Sequence, residues 1–143
     1  MDNFLGYRFY CKAQPLEIHP LRTNKLVSLY FGANWCAPSE VFLPKLIEFY
    51  NEVNLEDKVL EIVYVSRDET REMYEAQSAK MPWLIIPWGD ARHNNLVNQF
   101  EVLSIPKLIV LQKNGTVLTY NGKPDILANK EEAFELWLEK QNF

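Results

Sequence analysis

Residues 25–38, KLVSLYFGANWCAP, contain the pattern that decides the fold. The stretch as far as Gly32 is almost continuously apolar and rich in strand formers, which is typical of a strand buried on both faces. From Pro38 onward, apolar side chains recur at helical spacing, and Pro44 lies inside that pattern, which predicts a kinked helix. Cys36 therefore lies where a central strand meets a helix.

The composition is that of one ordinary globular domain. The chain has 143 residues, of which 48% are hydrophobic, so we expect residues 1–143 to form one domain with a sizeable core. The formal net charge is −4 and the basic residues are scattered among acids, which argues against a nucleic-acid partner. No apolar run approaches the roughly 20 residues that cross a bilayer, and the first residues do not resemble a signal peptide. We therefore expect a cytosolic protein with no membrane partner.

Further patterns extend the strand and helix around Cys36. Residues 59–66, VLEIVYVS, predict a second buried strand, and the residues after it predict a helix that opens with Asp68 and Glu69. An Asn-Gly pair at 114–115 lies between two apolar runs and predicts a hairpin, while KEEAFELWLEKQ predicts a closing amphipathic helix. Alternating strands and helices imply a parallel sheet, so the predicted fold class is α/β.

Two other predictions concern the start of the chain and its tryptophans. YRFYC, residues 7–11, predicts an edge strand, and PLEIHPL, residues 15–21, predicts a connection. Trp83 and Trp88 are predicted to lie in the core, whereas Trp35, next to Cys36, is predicted to be an exposed apolar contact for a partner protein.

The position of Cys36 favours a chemical role. Unpaired backbone N–H groups and the positive end of the helix dipole both favour a thiolate over a thiol at the first turn of a helix. A buried structural cysteine is the alternative, but it does not explain the position between Trp35 and Pro38. Cys11 and Cys36 are the two cysteines, and their spacing with the histidines matches no zinc pattern, so we expect no metal and no cofactor.

Several segments resemble a known family. WCAPSE after the buried strand resembles the active site of the thioredoxin superfamily, whose usual form is Trp-Cys-x-x-Cys. FLPKLIEFY and KMPWLIIPW resemble segments of its tryparedoxin and nucleoredoxin branch, and VLSIPKLIVL resembles the Ile-Pro loop of the superfamily. Tyr30 also suits that branch, because ordinary thioredoxins have a buried aspartate six residues before the nucleophile. The resemblance covers roughly residues 25–122 and implies a thioredoxin-like fold, with a central mixed twisted sheet and helices on both faces.

The resemblance implies a thiol:disulfide oxidoreductase that acts on protein disulfides through Cys36. Pro106 is implied to be the cis-proline beside the nucleophile, which leaves the backbone of Ile105 free to pair with an extended substrate. Glu69 matches an acid implicated in the substrate contacts of tryparedoxins, although Arg67 stands where that branch has a tryptophan. The implied substrate-binding residues are Trp35, Ala37, Pro38, Glu69, Ile105 and Pro106.

Ser39 is the main departure from the family pattern, since it occupies the position of the resolving cysteine. A hydroxyl cannot attack a mixed disulfide at neutral pH, so the chain is predicted to perform only the first exchange. Release then needs an external thiol: glutathione, a trypanothione-like thiol or a reductase. Cys11 is not expected to replace it, because a disulfide requires Cα atoms within about 7 Å. Glu40 is a second departure, since tryparedoxins have arginine there and a carboxylate opposes a nearby thiolate.

The sequence leaves the origin of Ser39 open. It is a natural feature of a monothiol protein, a natural feature of a redox-inactive adaptor, or an engineered replacement of cysteine. The alternative function is a non-catalytic thioredoxin-fold module that holds a partner protein between Trp35 and the Ile105-Pro106 loop.

Overall fold

The computed structural model describes residues 3–141, which form one mixed sheet with helices on both faces. The seven strands lie in the order β2-β1-β5-β4-β3-β6-β7. Their bounds are Arg8–Cys11 (β1), Gln14–Glu17 (β2), Leu26–Gly32 (β3), Leu60–Ser66 (β4), Leu84–Ile85 (β5), Lys107–Leu111 (β6) and Val117–Thr119 (β7). The helices are Ala37–Val53 (α1), Arg71–Ser78 (α2), Arg92–Gln99 (α3), Gly122–Asn129 (α4) and Glu132–Lys140 (α5), with a 3-10 turn at Pro20–Arg22. None of the helices within residues 3–141 is long and apolar enough to cross a membrane.

Strand β3 is the centre of the sheet. All of its residues are buried, and it pairs in parallel with β4 and antiparallel with β6. Because side chains alternate along a strand, Leu26 and Tyr30 pack with α1, α4 and α5, whereas Val27 and Phe31 pack on the other side with Leu96 of α3. The predicted α/β fold with helices on both faces is confirmed.

The start of the chain differs from its prediction. Strand β1 is not an edge strand, because it pairs with β2 on one side and with β5 on the other. The edge is β2, which includes Pro15 and Leu16 from the predicted connection. Proline suits an edge strand, where no neighbour requires its missing N–H. All residues of β2 are exposed, so this strand has no apolar alternation that the sequence could reveal.

Two helices also differ from the sequence prediction. Helix α2 begins at Arg71 rather than Asp68, because the Thr70 hydroxyl caps it by accepting a hydrogen bond from the Met73 N–H at 3.2 Å. Helix α4 was not predicted at all. It buries only Gly122 and Ile126, so its sequence contains no apolar stripe at helical spacing.

Candidate functional site

Cys36 lies at the junction that the sequence predicts. It is the N-cap of α1, and its carbonyl oxygen accepts a hydrogen bond from the Glu40 N–H at 3.1 Å. The Cys36 thiol donates to the carbonyl oxygen of Ile105, with 3.8 Å between sulfur and oxygen. The Ile105-Pro106 peptide bond is cis, and Pro106 is buried. Cys36 itself is only 8% exposed, so a reacting partner must reach the sulfur between the start of α1 and this loop.

Ser39 is completely buried in the first turn of α1. Residues three apart on a helix share a face, so Ser39 lies on the same side of the helix as Cys36. Its hydroxyl has no hydrogen-bond partner among residues 3–141. Ala37 and Pro38, by contrast, are exposed beside Cys36. In this turn, two exposed residues, Ala37 and Pro38, therefore lie between a nearly buried thiol and a fully buried hydroxyl.

Tyr30 forms the floor beneath the start of α1. Its hydroxyl donates to the carbonyl oxygen of Ser39 at 3.5 Å, and its ring packs against Tyr64 and Phe42. A Cβ atom at Gly32 would lie 2.8 Å from the Tyr30 ring, so only glycine fits beneath it. Burial raises the pKa of Tyr30 well above its ordinary value, which keeps the phenol neutral. Tyr30 thus supports the site from the core.

A buried carboxylate anchors the loop that carries Cys36. Asp68 accepts hydrogen bonds from the Asn34 N–H at 2.6 Å, from the Tyr64 hydroxyl at 2.8 Å and from the Ser66 hydroxyl at 2.6 Å. These bonds tie the loop after β3 to the end of β4. The sequence pattern predicts Asp68 in a helix and does not reveal this role. The sequence does contain one signal of it, because Asp68 is an acid two residues after the buried strand β4, which pairs with β3.

Trp35 and Glu69 border an open cleft next to the loop that carries Cys36. Trp35 is 49% exposed, and its indole N–H donates to the carbonyl oxygen of Arg67 at 2.8 Å. Arg67 in turn donates to the Asn94 side chain at 2.9 Å. The cleft has a volume of about 460 Å³, and its walls include Trp35, Arg67, Glu69, Trp88, Asp90 and Asn94.

The two other tryptophans of the central segment differ from each other. Trp83 is fully buried, which agrees with its prediction. The prediction for Trp88 is wrong, because it is 37% exposed and packs against Tyr74 at the rim of the cleft, with ring centroids 5.5 Å apart. Trp88 follows the short strand β5, where the chain leaves the core.

Glu40 and His93 add charge and polarity near the site. Glu40 forms an ion pair with Lys80 at 3.0 Å, so a cation offsets the carboxylate near Cys36.

His93 is buried, accepts from the Ser66 N–H at 3.0 Å and donates to the Pro87 carbonyl oxygen at 2.9 Å. These two bonds fix the neutral imidazole with its proton on Nε2. Burial lowers the pKa of His93, although the Asp90 carboxylate opposes that shift.

Known proteins are similar to this chain in sequence and in fold. A family model described as Thioredoxin-like matches residues 24–117. The chain belongs to the thioredoxin superfamily. The nucleoredoxin of Mus musculus is 34% identical over 119 residues, which are 82% of this chain and 27% of the mouse protein. Native tryparedoxin I from Crithidia fasciculata superposes with a TM-score of 0.82 at 34% identity, over 91% of this chain and 92% of that one.

A second solved structure is also a tryparedoxin. Tryparedoxin II complexed with glutathionylspermidine superposes with a TM-score of 0.81 at 33% identity, over 90% of this chain and 92% of that one. Together these relatives confirm the tryparedoxin- and nucleoredoxin-like branch. The match to this chain covers between 19% and 27% of the length of these nucleoredoxins.

Proposed function

We propose that this protein is a thiol:disulfide oxidoreductase that attacks disulfides of partner proteins through Cys36. The observation that carries the proposal is the position of the Cys36 sulfur at the start of α1, 3.8 Å from the Ile105 carbonyl oxygen. Backbone N–H groups at a helix start favour the thiolate, which is the nucleophile. Membership of a branch that contains tryparedoxins supports the same chemistry.

The first exchange needs only the Cys36 thiolate and a substrate disulfide. The thiolate forms a bond to one substrate sulfur, and the substrate S–S bond breaks. The other substrate sulfur leaves as a thiolate and takes up a proton from solvent. The product is a mixed disulfide between Cys36 and the substrate. Ser39 cannot resolve this bond, because its hydroxyl is a poor nucleophile at neutral pH and is fully buried.

Exposed residues around Cys36 fit the role of substrate contacts. Trp35, Ala37 and Pro38 are exposed next to the sulfur, and the Ile105 carbonyl oxygen lies beside it. An extended substrate would pair with the backbone of the Ile105-Pro106 loop, while Glu69 and Trp35 contact it from the cleft wall. Pro106 is buried, so its contribution is to shape this loop.

An external thiol completes the cycle. Its thiolate attacks the Cys36 sulfur, and the substrate leaves as a thiolate that takes up a proton. A second thiol molecule then attacks the sulfur of the first, so the two external thiols form a disulfide and Cys36 leaves as a thiolate. The related tryparedoxin II was solved in complex with glutathionylspermidine, which supports a thiol of the glutathione class; a protein reductase is the alternative source. A reducing compartment suits this requirement, so we propose a cytosolic location.

A stalled mixed disulfide is the signature that tests the proposal. Insulin is incubated with the protein, and adducts are separated on a non-reducing gel and assigned by peptide mass spectrometry. We expect a covalent adduct through Cys36 that persists until glutathione is added and is absent from Cys36→Ala. Insulin binding that is unchanged in Cys36→Ala, without any adduct, would instead indicate a non-catalytic binding module.

A further inference from the structure

An open groove runs along α1 from the residues that follow Cys36. We call it the α1–α4 groove, and it is lined by Ala37, Pro38, Val41, Phe42, Lys45, Lys123 and Leu127. Its volume is about 400 Å³. Val41 is 65% exposed and Leu127 is 47% exposed, so the groove, which begins at the residues after Cys36, presents aliphatic side chains to solvent.

The charged residues of the α1–α4 groove are all basic. Lys45 lies on α1, and Lys123 lies on α4 with its ammonium 5.9 Å from the centroid of the Phe42 ring. Among residues 3–141, neither lysine forms an ion pair. No carboxylate belongs to the groove lining, although the chain as a whole has a net charge of −4. The groove is therefore an apolar strip with two uncompensated positive charges.

The walls of the groove are held in place by the core. Phe42 and Leu43 of α1 are buried, and Ile126 packs α4 against the same cluster. At the start of α4, a Cβ atom on Gly122 would lie 2.8 Å from the Leu108 carbonyl oxygen, so α4 approaches β6 where only glycine fits. The groove is thus a preformed surface.

We propose that the α1–α4 groove selects, among protein disulfides, those in extended segments where an apolar side chain lies next to carboxylates. This inference rests on the proposed attack of Cys36 on protein disulfides. The apolar side chain would pack on Val41 and Leu127, and the carboxylates would pair with Lys45 and Lys123. Opposite charges across an interface favour encounter and disfavour basic competitors.

The length of the groove fits such a segment. Lys45 is nine positions after Cys36, which corresponds to roughly 14 Å along a helix. An extended peptide covers that distance with about four residues, so side chains within four positions of the substrate cysteine can reach Lys45. Lys123 faces the same stretch of α1, since its ammonium lies 5.9 Å from the centroid of the Phe42 ring. Glutathione has carboxylates but no apolar side chain, so a protein segment is the better match for the aliphatic surface.

Matched peptides test the selection. Each carries one cysteine activated as a pyridyl disulfide, followed by leucine and either two glutamates or two lysines. The Cys36 thiolate bonds to the peptide sulfur, and the pyridine thiolate leaves, takes up a proton and is measured as thiopyridone. All rates are measured in a Cys11→Ser background, in which dithiodipyridine, a small uncharged disulfide, reports the reactivity of Cys36 without the groove.

At low salt we expect the acidic peptide to react roughly tenfold faster than the basic peptide, because two cations steer it to the site. The ratio should fall toward one at about 1 M salt, where the Debye length is near 3 Å.

Lys45→Gln combined with Lys123→Gln should abolish the preference without changing the rate with dithiodipyridine. Lys113→Gln, an exposed lysine in the turn between β6 and β7, should keep the preference. Leu127→Ser should slow both peptides equally.

Other outcomes overturn the inference in distinguishable ways. Equal rates for the two peptides, or a preference that survives the double substitution, would exclude the groove as a selector while leaving the oxidoreductase proposal intact. The double lysine substitution could also slow the reaction with oxidised glutathione as much as the reaction with the acidic peptide. That result would show that the groove recognises small anions rather than protein segments. No reaction of folded protein with dithiodipyridine would overturn the proposed function itself.

Discussion

The two cysteines of this chain are both free thiols, yet they lie in contrasting surroundings. Each donates to a carbonyl oxygen, Cys36 to Ile105 at 3.8 Å and Cys11 to Pro82 at 3.7 Å. Cys11 is the more exposed of the two, so accessibility alone would favour its reaction. Cys36 instead is the N-cap of α1, the position at which the backbone N–H groups of a helix start face a side chain. The local backbone, rather than exposure, therefore distinguishes Cys36 as the candidate nucleophile.

The sheet also separates the two thiols. Cys11 ends β1, and the strand order places β5 and β4 between β1 and β3, the strand that leads to Cys36. Three strand spacings amount to about 14 Å, which exceeds the Cα separation of about 7 Å that a disulfide allows. Cys11 is therefore not placed to resolve a mixed disulfide on Cys36. Position in the fold, like local backbone, sets the two thiols apart.

The largest effect that we expect comes from Ser39→Cys. A thiol at this position would lie one helical turn from Cys36 and would resolve the mixed disulfide internally. Replacing an external thiol by an internal one should raise turnover roughly a hundredfold or more, since it removes a bimolecular step. Insulin reduction by dithiothreitol measures it.

The control for this substitution addresses the other thiol. Ser39→Cys combined with Cys11→Ser should retain the full gain, because Cys11 lies outside the site. If Ser39→Cys is no more active than the present sequence, a missing resolving thiol does not explain the site. If the gain requires Cys11, the contrast between the two cysteines breaks down.

A smaller effect should appear as selective adduct formation. With oxidised glutathione at neutral pH, Cys36 should be modified about tenfold faster than Cys11, since a helix start favours the thiolate. Peptide mass spectrometry over time gives both rates in one sample, and Cys36→Ala and Cys11→Ala give them separately. An adduct mainly on Cys11 would make exposure, not backbone, the deciding factor. Reaction of Cys36 only after denaturation would identify it as a structural cysteine.

The sequence predicted the part of the site that depends on local pattern. The apolar run of β3 and the helical spacing of α1 are contiguous, so the junction at Cys36 could be located without other segments, and the structure confirms that location. The family resemblance identified Tyr30 as a marker of the branch. Its role as the floor of the site required knowledge of packing against α1 and β4.

Features that depend on distant segments could not be predicted. Asp68 looks like the start of a helix, but its carboxylate pairs with Asn34, which is remote in sequence. Trp88 looks like a core residue, but the end of β5 leaves it at the rim of a cleft. Likewise, whether β1 lies at an edge depends on β5, a strand of only two residues. Propensity describes neighbours along the chain, whereas these roles are set by neighbours in space.

Ser39→Ala should increase the stability of the protein. The Ser39 hydroxyl is buried without a partner in the described part of the chain, and a buried unsatisfied group costs free energy. Its removal should raise the free energy of unfolding by about 1 kcal/mol. Ser78→Ala is the matched control, because Ser78 is also helical but donates to the Tyr74 carbonyl oxygen. Urea denaturation of both variants gives the difference, and destabilisation by Ser39→Ala would show that its hydroxyl has a partner after all.

The smallest effect that we expect is a change in how the free energy of unfolding depends on pH. The two histidines lie in different surroundings, as the two cysteines do. His93 is buried at the end of β4 near the Cys36 loop, whereas His19 stacks on Tyr7 beside the β1–β2 hairpin. Because burial lowers the pKa of His93 below its ordinary 6.5, the unfolded chain binds a proton that the folded chain does not.

The contribution of His93 to stability is therefore complete above about pH 6.5 and is lost as the pH falls toward the lower pKa of the folded state. Urea denaturation at several pH values should show this loss in the unmodified protein and in His19→Gln, which leaves His93 in place. His93→Gln should be less stable near neutral pH, because it disturbs the bonds to Ser66 and Pro87. Its curve should nevertheless be flatter below pH 6.5, since glutamine does not titrate. An unchanged slope in His93→Gln would show that other groups cause the acid sensitivity and that the end of β4 tolerates a charged imidazole.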